Sequence, residues 1–281
     1  MTGLEQTAVD RETPSRVRPL QLYGQVAIVT GAAKGMGKPI CSMLAEEGAR
    51  VVLAGRDLDA LEAHAASLKA EHAETTEAVA RRCDVTREED VAAVAKLALE
   101  AFGRIDILVN SAGTIGPIET PAHEVSADEF RGVLEINVMG TFLTCKAVIP
   151  TLIEQRSGRI VNIAGTSGLR GYRNRVGYSS SKWAVRGLTR TLALELGPYG
   201  VTVNDICPNV TNGARMDKIV AGKAERLGKQ RDEVYRDFAS QTALGRFVDE
   251  PDIAEAVRFL VGESGRNITG QDIVVDAGWN V

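Results

Sequence analysis

Tyr178 and Lys182 are the residues whose types and spacing most directly suggest catalysis. They occupy positions i and i+4 of a segment, Gly177–Gly197, whose apolar pattern predicts a helix, so the side chains share one helix face. A free tyrosine has a pKa of about 10 and is a poor base at neutral pH, but a neighbouring lysine cation favours the phenolate. The pair could therefore donate a proton to a carbonyl oxygen or remove one from an alcohol. The spacing alone is weak evidence, because it also arises by chance.

A glycine-rich turn, 30–37, follows a short β-branched run and opens a predicted helix. Its glycines would let the backbone approach a pyrophosphate, which the N–H groups at a helix start bind well. A P-loop is excluded because its glycine spacing is shorter and Ser or Thr, rather than Pro39, would follow Lys38. A connection that binds no ligand is the alternative. We expect cofactor contacts from Gly31, Ala33, Lys34, Gly35, Met36 and Gly37.

Arg56 stands just beyond the second predicted strand, where an acidic residue would bind the ribose 2′-hydroxyl of NAD. Together with Lys34, it would instead pair with a 2′-phosphate. Asp57, the next residue, could still accept a ribose hydroxyl. We therefore expect NADP(H) in preference to NAD(H).

Strand and helix signals alternate along the chain and must position these residues. Such alternation predicts an α/β, Rossmann-type fold: a doubly wound, mostly parallel seven-stranded sheet with helices on both faces and ligands at the carboxyl ends of its strands. Strands are predicted at Val26–Thr30, Val51–Ala54, Val79–Cys83, Ile107–Val109, Ile160–Ala164, Val201–Ile206 and Ile273–Val275. Helices are predicted at Lys38–Glu47, Leu58–Glu74, Glu88–Phe102, Ala127–Ile153, Gly177–Gly197 and Glu250–Val261.

We expect a flexible N-terminal tail over 1–22 and one dinucleotide-binding catalytic domain over 23–281. Within the domain, the polar and charged segment 209–242 is the long irregular or loosely helical piece. Its scattered apolar side chains could form a lid over an apolar substrate, and an ordinary surface helix is the alternative. These apolar side chains are Met216, Ile219, Val220, Tyr235 and Phe238.

Composition excludes several classes of protein. Among 281 residues, 33 are basic and 37 acidic, so no overall basic field points to nucleic acid or an anionic membrane. No apolar run approaches the ~20 residues of a membrane span, and the first residues lack the apolar core of a signal peptide, so we expect a cytoplasmic protein. The 4 cysteines lack metal-ligand spacing and are expected to be buried thiols, with no metal site.

The motifs taken together closely resemble those of the short-chain dehydrogenase/reductase family, over about Leu22 to Val281. The resemblance rests on Thr30–Gly37, Asn110-Ser-Ala-Gly113, Asn137, Tyr178-Ser-Ser-Ser-Lys182, Gly245-Arg246 and Ile268-Thr-Gly270. It implies an NAD(P)-dependent oxidoreductase that interconverts a secondary alcohol and a ketone of small size. It also implies a homo-oligomer, either a tetramer or a dimer.

The resemblance also assigns residue roles. Tyr178 would be the acid/base, while Lys182 would bind both the tyrosine and a ribose, held by Asn137 through a water. The remaining residues would surround the nucleotide. Asp84 and Val85 would flank the adenine, Asn110, Ala112 and Gly113 would line a ribose, and Pro208, Asn209 and Thr211 would lie near the carboxamide.

The sequence departs from the family pattern at Ser111, which is Asn in the family, and at two sites of greater consequence. Gly165 occupies the usual position of a catalytic serine, for which Thr166 or Ser167 could substitute. Asn209 replaces a glycine after the sixth strand, and asparagine tolerates a left-handed backbone better than most residues. The alternative function is therefore a nucleotide-binding family member with little or no turnover, whether Gly165 is natural or introduced.

Overall fold

A computed structural model of the protein describes residues 20–279. Most of the predicted tail, 1–22, lies outside this range. Leu22 is nevertheless buried against the core, and its N–H donates to the carbonyl of Glu47 at 3.0 Å. The packed domain thus begins before residue 23, because Leu22 already belongs to its apolar core.

The described chain forms one seven-stranded parallel sheet in the order β3-β2-β1-β4-β5-β6-β7, with helices on both faces. This arrangement confirms the predicted doubly wound α/β fold. The strands are β1 Val26–Thr30, β2 Arg50–Gly55, β3 Ala78–Arg82, β4 Ile107–Asn110, β5 Gly158–Ile163, β6 Val201–Pro208 and β7 Asp272–Val275. The helices are α1 Gly37–Glu46, α2 Leu58–Glu71, α3 Glu88–Phe102, α4 Ala127–Leu134, α5 Gly140–Gln155, α6 Val176–Leu196, α7 Ala214–Leu227, α8 Arg231–Ala239 and α9 Glu250–Val261.

Alternate residues of the central strand β1 supply the two halves of the core. Ala27 and Val29 join the apolar layer beneath α1 and α9, whereas Val26 and Ile28 join the layer beneath α3 and α5. This alternation follows from the pleat, which points successive side chains to opposite faces. Because β1 is covered on both faces, all its residues are buried and its sequence is a continuous apolar run.

The order of strands reverses between β1 and β4, so the loops that follow these strands diverge and open a crevice. Thr30 pairs with Ala54 on one side and Asn110 on the other, which brings the carboxyl ends of three strands level. The glycine turn and the loop after β4 therefore meet at this crevice.

The segment 209–242 is more regular than expected, because it folds into α7 and α8. Met216 and Val220 of α7 are buried together with Val234, Phe247 and Trp279 in a separate apolar cluster. Tyr235 stacks on Phe247 with ring centres 4.0 Å apart. The amphipathic pattern is thus satisfied by packing of the two helices on each other and on neighbouring loops.

The predicted helix 127–153 is present but is interrupted by a π-helical turn, Glu135–Met139, between α4 and α5. The whole stretch, Ala127–Gln155, is long and apolar enough to cross a membrane, contrary to the expectation of no such run. Its side chains Leu143, Val148 and Leu152 lie in the core, whereas Met139 and Phe142 are exposed.

All four cysteines are buried free thiols, as expected. Burial raises the pKa of the Cys83, Cys145 and Cys207 thiols to about 12, so they are unreactive at neutral pH. Within residues 20–279, no group of three or more His, Cys, Asp or Glu side chains could hold a metal ion.

Candidate active site

The glycine turn after β1 leaves no room for side chains at two positions. An added Cβ would lie 2.8 Å from the backbone N of Ala112 at Gly31, and 2.3 Å from the carbonyl oxygen of Gly31 at Gly37. The helix α1 then begins without a side-chain cap at Met36. The Lys38 N–H donates to the carbonyl of Gly35 at 3.1 Å and Pro39 has no N–H, so a pyrophosphate would be bound by N–H groups of the turn before Lys38.

The loop after β2 shows what Asp57 does. Its carboxylate caps α2 by accepting from the backbone N–H of Ala60 at 3.2 Å. Arg56 and Lys34 both have exposed side chains at the same edge of the sheet. The positive charge of Arg56 contributes, after hydrogen bonds from Thr86, to the lowered pKa of Asp84. The edge thus combines a capping carboxylate with exposed cations.

Tyr178 and Lys182 lie together on α6. The Lys182 ammonium is 5.6 Å from the centre of the Tyr178 ring and donates to the carbonyl of Ile163 at 2.7 Å. Burial opposes ionisation of the Tyr178 hydroxyl, but the cations Lys182, Arg215 and Arg175 outweigh it and lower its pKa. Burial also lowers the pKa of Lys182, which the Tyr178 phenolate partly offsets. The charges around Tyr178 thus favour its phenolate more than burial disfavours it.

Asn137 sits on the π-helical turn and holds the loop after β4. Its Oδ1 accepts from the Thr114 N–H at 2.8 Å, and its Nδ2 donates to the Thr114 carbonyl at 3.0 Å and to Ser181 Oγ at 2.9 Å. The direct contact is thus with Ser181, beside Lys182. The expected water bridge to Lys182 stays a prediction.

Gly165 lies opposite the Tyr178 hydroxyl, where a Cβ would be 3.7 Å from that oxygen. Its φ of +104° and ψ of +155° form a backbone conformation that glycine alone adopts readily. Thr166 is buried, and its hydroxyl is hydrogen-bonded to the Tyr172 hydroxyl at 3.0 Å. Ser167 is half-buried on the following turn. Gly165 is therefore the residue of this loop that faces the tyrosine.

The loop after β6 differs from the expectation for Asn209. The positive φ, +40°, belongs to Val210 rather than to Asn209. Asn209 is instead fixed by its backbone N–H, which donates to Val275, and by its side chain, which donates to the Tyr172 hydroxyl at 3.1 Å. Thr211 and Pro208 are half-buried on the same loop.

Two of the residues predicted to line the nucleotide have side chains that are turned into the protein. The Asn110 side chain is buried, and its Oδ1 accepts from Thr144 at 2.6 Å, so its role toward a ribose stays a prediction for the Asn110 backbone. Val85 is buried and packs where Gly140 lacks a side chain. Asp84, Ala112 and Gly113 remain partly exposed at the crevice.

A series of hydrogen bonds between buried polar side chains runs from Asn110 across the centre of the sheet; we call it the buried polar chain. Asn110 Nδ2 donates to Asn162 Oδ1 at 2.9 Å, Asn162 Nδ2 donates to Thr189 Oγ1 at 2.7 Å, and Thr189 donates to Asp205 Oδ1 at 2.8 Å. Burial raises the pKa of Asp205 to about 8. This carboxyl is therefore largely protonated at neutral pH.

The structure adds two arginines that the sequence did not single out. The Arg175 guanidinium lies 4.8 Å from the centre of the Tyr178 ring. Arg215, from the start of α7, donates to the carbonyl of Gly113 at 3.1 Å. No local pattern distinguishes them among the 33 basic residues, because only folding brings α7 to α6. Tyr172, Ser181 and Thr114 were missed for the same reason.

Comparisons with known proteins find similar sequences and structures over most of the chain. The family model described as enoyl-(acyl carrier protein) reductase matches residues 31–280. The trans-4-hydroxycyclohexanecarboxylate dehydrogenase of Sinomonas cyclohexanicum is 35% identical over 90% of this chain and 92% of its own. The solved structure of an NAD+-bound xylitol dehydrogenase is 35% identical with a TM-score of 0.85, and the match covers 91% of this chain and 98% of that one. The solved structure of a variant actinorhodin polyketide ketoreductase with NADPH is 32% identical with a TM-score of 0.85, and the match covers 92% of this chain and 98% of that one.

Proposed function

Because the chain belongs to the short-chain dehydrogenase/reductase family and is thus an NAD(P)-dependent oxidoreductase, we propose that it interconverts a secondary alcohol and a ketone, with Tyr178 as the acid/base. The observation that carries this proposal is the Tyr178 hydroxyl, whose pKa is lowered by Lys182 and Arg215 against the effect of burial. The opposing residue Gly165 leaves space beside that hydroxyl for a substrate oxygen.

In the direction of reduction, Tyr178 would donate its proton to the carbonyl oxygen as negative charge develops there. A bound nicotinamide supplies the hydride to the carbonyl carbon or accepts it from the alcohol. Lys182 stabilises the phenolate left on Tyr178, while its bond to Ile163 fixes its position. Asn137 keeps the loop after β4 in place through Thr114.

We propose that NADP(H) is preferred over NAD(H). Arg56 and Lys34 are exposed cations at the edge where a 2′-phosphate would lie, and the carboxylate of Asp57 is engaged in capping α2. One of the similar structures holds NAD+ and another holds NADPH, so the proposal rests on these residues.

Gly165 supports a second candidate, a nucleotide-binding family member with little turnover. A serine hydroxyl at this position would donate to the developing oxyanion, and loss of one such donor costs about 10²–10³ in rate. Glycine has no donor, and the Thr166 hydroxyl is bonded to Tyr172.

Tyr178→Phe tests the principal proposal. We expect a loss of about 10²–10⁴-fold in NADPH-dependent reduction over a panel of ketones, with NADPH affinity nearly unchanged, because only the proton donor is removed. Lys182→Ala should weaken both turnover and NADPH binding. Tyr199→Phe, beyond the end of α6, is the matched control. Substantial turnover in Tyr178→Phe would refute the assignment, and binding without turnover in the starting protein would favour the second candidate.

We also propose a cytoplasmic homo-oligomer, either a tetramer or a dimer. The α5 and α6 helices expose large apolar side chains that a second copy could cover, among them Phe142, Trp183 and Leu194. Light scattering coupled to gel filtration tests the assembly, since a monomeric mass at micromolar concentration would contradict it.

A further inference from the structure

Two guanidinium groups approach the reacting hydroxyl from different elements. Arg175 precedes α6 and lies beside the Tyr178 ring, with its Cζ 4.8 Å from the ring centre. Arg215 begins α7 and is anchored through one nitrogen to the carbonyl of Gly113. Each lowers the pKa of Tyr178, so both charges act on the site of proton transfer.

One nitrogen of the Arg175 guanidinium, Nη1, is buried and makes no hydrogen bond in the described part of the chain. Buried polar groups without partners are costly. The buried Nη1 belongs to a guanidinium that lies against the Tyr178 ring, so it could donate to a ligand bound beside that tyrosine.

The carboxylates of Glu119 and Glu250 act on the two arginines from a distance, without a direct ion pair in the described part of the chain. Within the described residues, neither Arg175 nor Arg215 forms an ion pair, whereas Glu119 is bound by Arg226 with Nε and Oε2 2.5 Å apart. Glu250 is partly buried, and burial raises its pKa although Arg215 opposes the shift. Burial lowers the pKa of Arg175, whereas Tyr178 and Glu119 oppose this shift, and repulsion by the positive charge of Arg215 adds a smaller lowering. An anion between the guanidiniums would relieve that repulsion.

We propose that the substrate is a hydroxy or oxo acid whose carboxylate is bound by Arg175 and Arg215 while its alcohol or ketone carbon lies beside Tyr178. A planar guanidinium presents parallel N–H donors that match the two oxygens of a carboxylate. Arg175 and Arg215 are then specificity-determining residues. This inference rests on the proposed oxidoreductase function, and it adds the charge of the substrate.

The test compares 4-oxocyclohexanecarboxylate with its methyl ester, which keeps the ketone and removes the charge. With NADPH, kcat/KM for the acid should exceed that for the ester by at least about tenfold. Arg175→Met and Arg215→Met should each lower the acid's value by about 10- to 100-fold more than the ester's, mainly through KM. Arg215→Lys should retain part of the preference. Arg173→Met, an exposed neighbour, should keep the starting preference.

The ester separates specificity from catalysis, because loss of Tyr178 activation would lower both substrates equally. An ester turned over as well as the acid would overturn the inference and leave the oxidoreductase function intact. Weaker NADPH binding in Arg215→Met with unchanged acid preference would assign Arg215 to the cofactor and overturn its role. If neither compound reacted, calorimetry on the NADP+-loaded protein would decide: acid-selective binding lost in Arg175→Met supports the anion site, and equal binding refutes it.

Discussion

Two turns at the carboxyl end of the sheet require glycine for different reasons. After β1, a Cβ at Gly31 or Gly37 would overlap neighbouring backbone at 2.8 Å or less. After β5, a Cβ at Gly165 would have ordinary contacts, the nearest being Pro208 O at 3.6 Å. There the constraint is the φ of +104°. In the first turn, Gly37 excludes a side chain by contact and Gly31 by contact together with a φ of +69°, whereas Gly165 in the second turn excludes one only by backbone strain.

The contact constraint predicts the largest effect. We expect Gly37→Ala to abolish folding or to weaken NADPH binding by more than about 100-fold. Rotation of a side chain cannot relieve an overlap between Cβ and backbone, and overpacking destabilises a fold by about 1–3 kcal/mol. Gly132→Ala, in α4 with open space around it, should instead stabilise the protein by about 0.5–1 kcal/mol. Thermal unfolding and NADPH titration measure both. Normal NADPH affinity in Gly37→Ala would contradict the steric account.

The next effect concerns the cofactor beside the first turn. Arg56→Ala should weaken NADPH binding by about 10- to 100-fold, since a charge-assisted contact contributes about 1.5–3 kcal/mol, and should leave NADH binding nearly unchanged. Arg50→Ala, at the opposite end of the same strand, is the control. Fluorescence titration of both cofactors is the measurement. Equal affinities in the starting protein would refute the proposed preference for NADP(H).

The strain constraint at the second turn predicts a smaller, separable effect. Gly165→Ala and Gly165→Ser should both destabilise the fold by about 1–3 kcal/mol. The serine variant should exceed the alanine variant in kcat/KM by about tenfold or more, because its hydroxyl could donate to the substrate oxygen. Thr166→Ala and Ser167→Ala test whether another hydroxyl already does so. Equal rates in the serine and alanine variants would show that Tyr178 alone polarises the carbonyl.

The smallest effect is a displacement of a pH profile. Alcohol oxidation requires ionised Tyr178, so its kcat/KM should rise with pH through a pKa below 10, and ketone reduction should fall over the same range. Arg215→Met removes a cation that favours the phenolate and should move the oxidation profile to higher pH. Lys218→Met, exposed on the same helix, should not move it. Identical profiles in all three proteins would show that Arg215 does not act on Tyr178.

The sequence predicted those features that local spacing specifies. The alternating strands and helices, the glycine turn and the i, i+4 pair Tyr178 and Lys182 all depend on neighbours in the chain. Arg175 and Arg215 could not be recognised, because their proximity depends on how α7 folds back against the loop before α6. The positive φ at Val210 instead of Asn209 has a similar origin, since contacts with Val275 and Tyr172 fix the asparagine.

The buried polar chain has a consequence for how the central strands align during folding. Asn110 pairs with Asn162, and Asn162 with Asp205, so these polar residues form one straight row across β4, β5 and β6. A slip of one residue would turn each side chain to the opposite face, and a slip of two would part the row. Either slip would leave buried polar groups without hydrogen-bond partners, which destabilises the fold by about 1–3 kcal/mol for each group. Apolar strands tolerate shifted pairings, so this row distinguishes the native register from its nearest competitors.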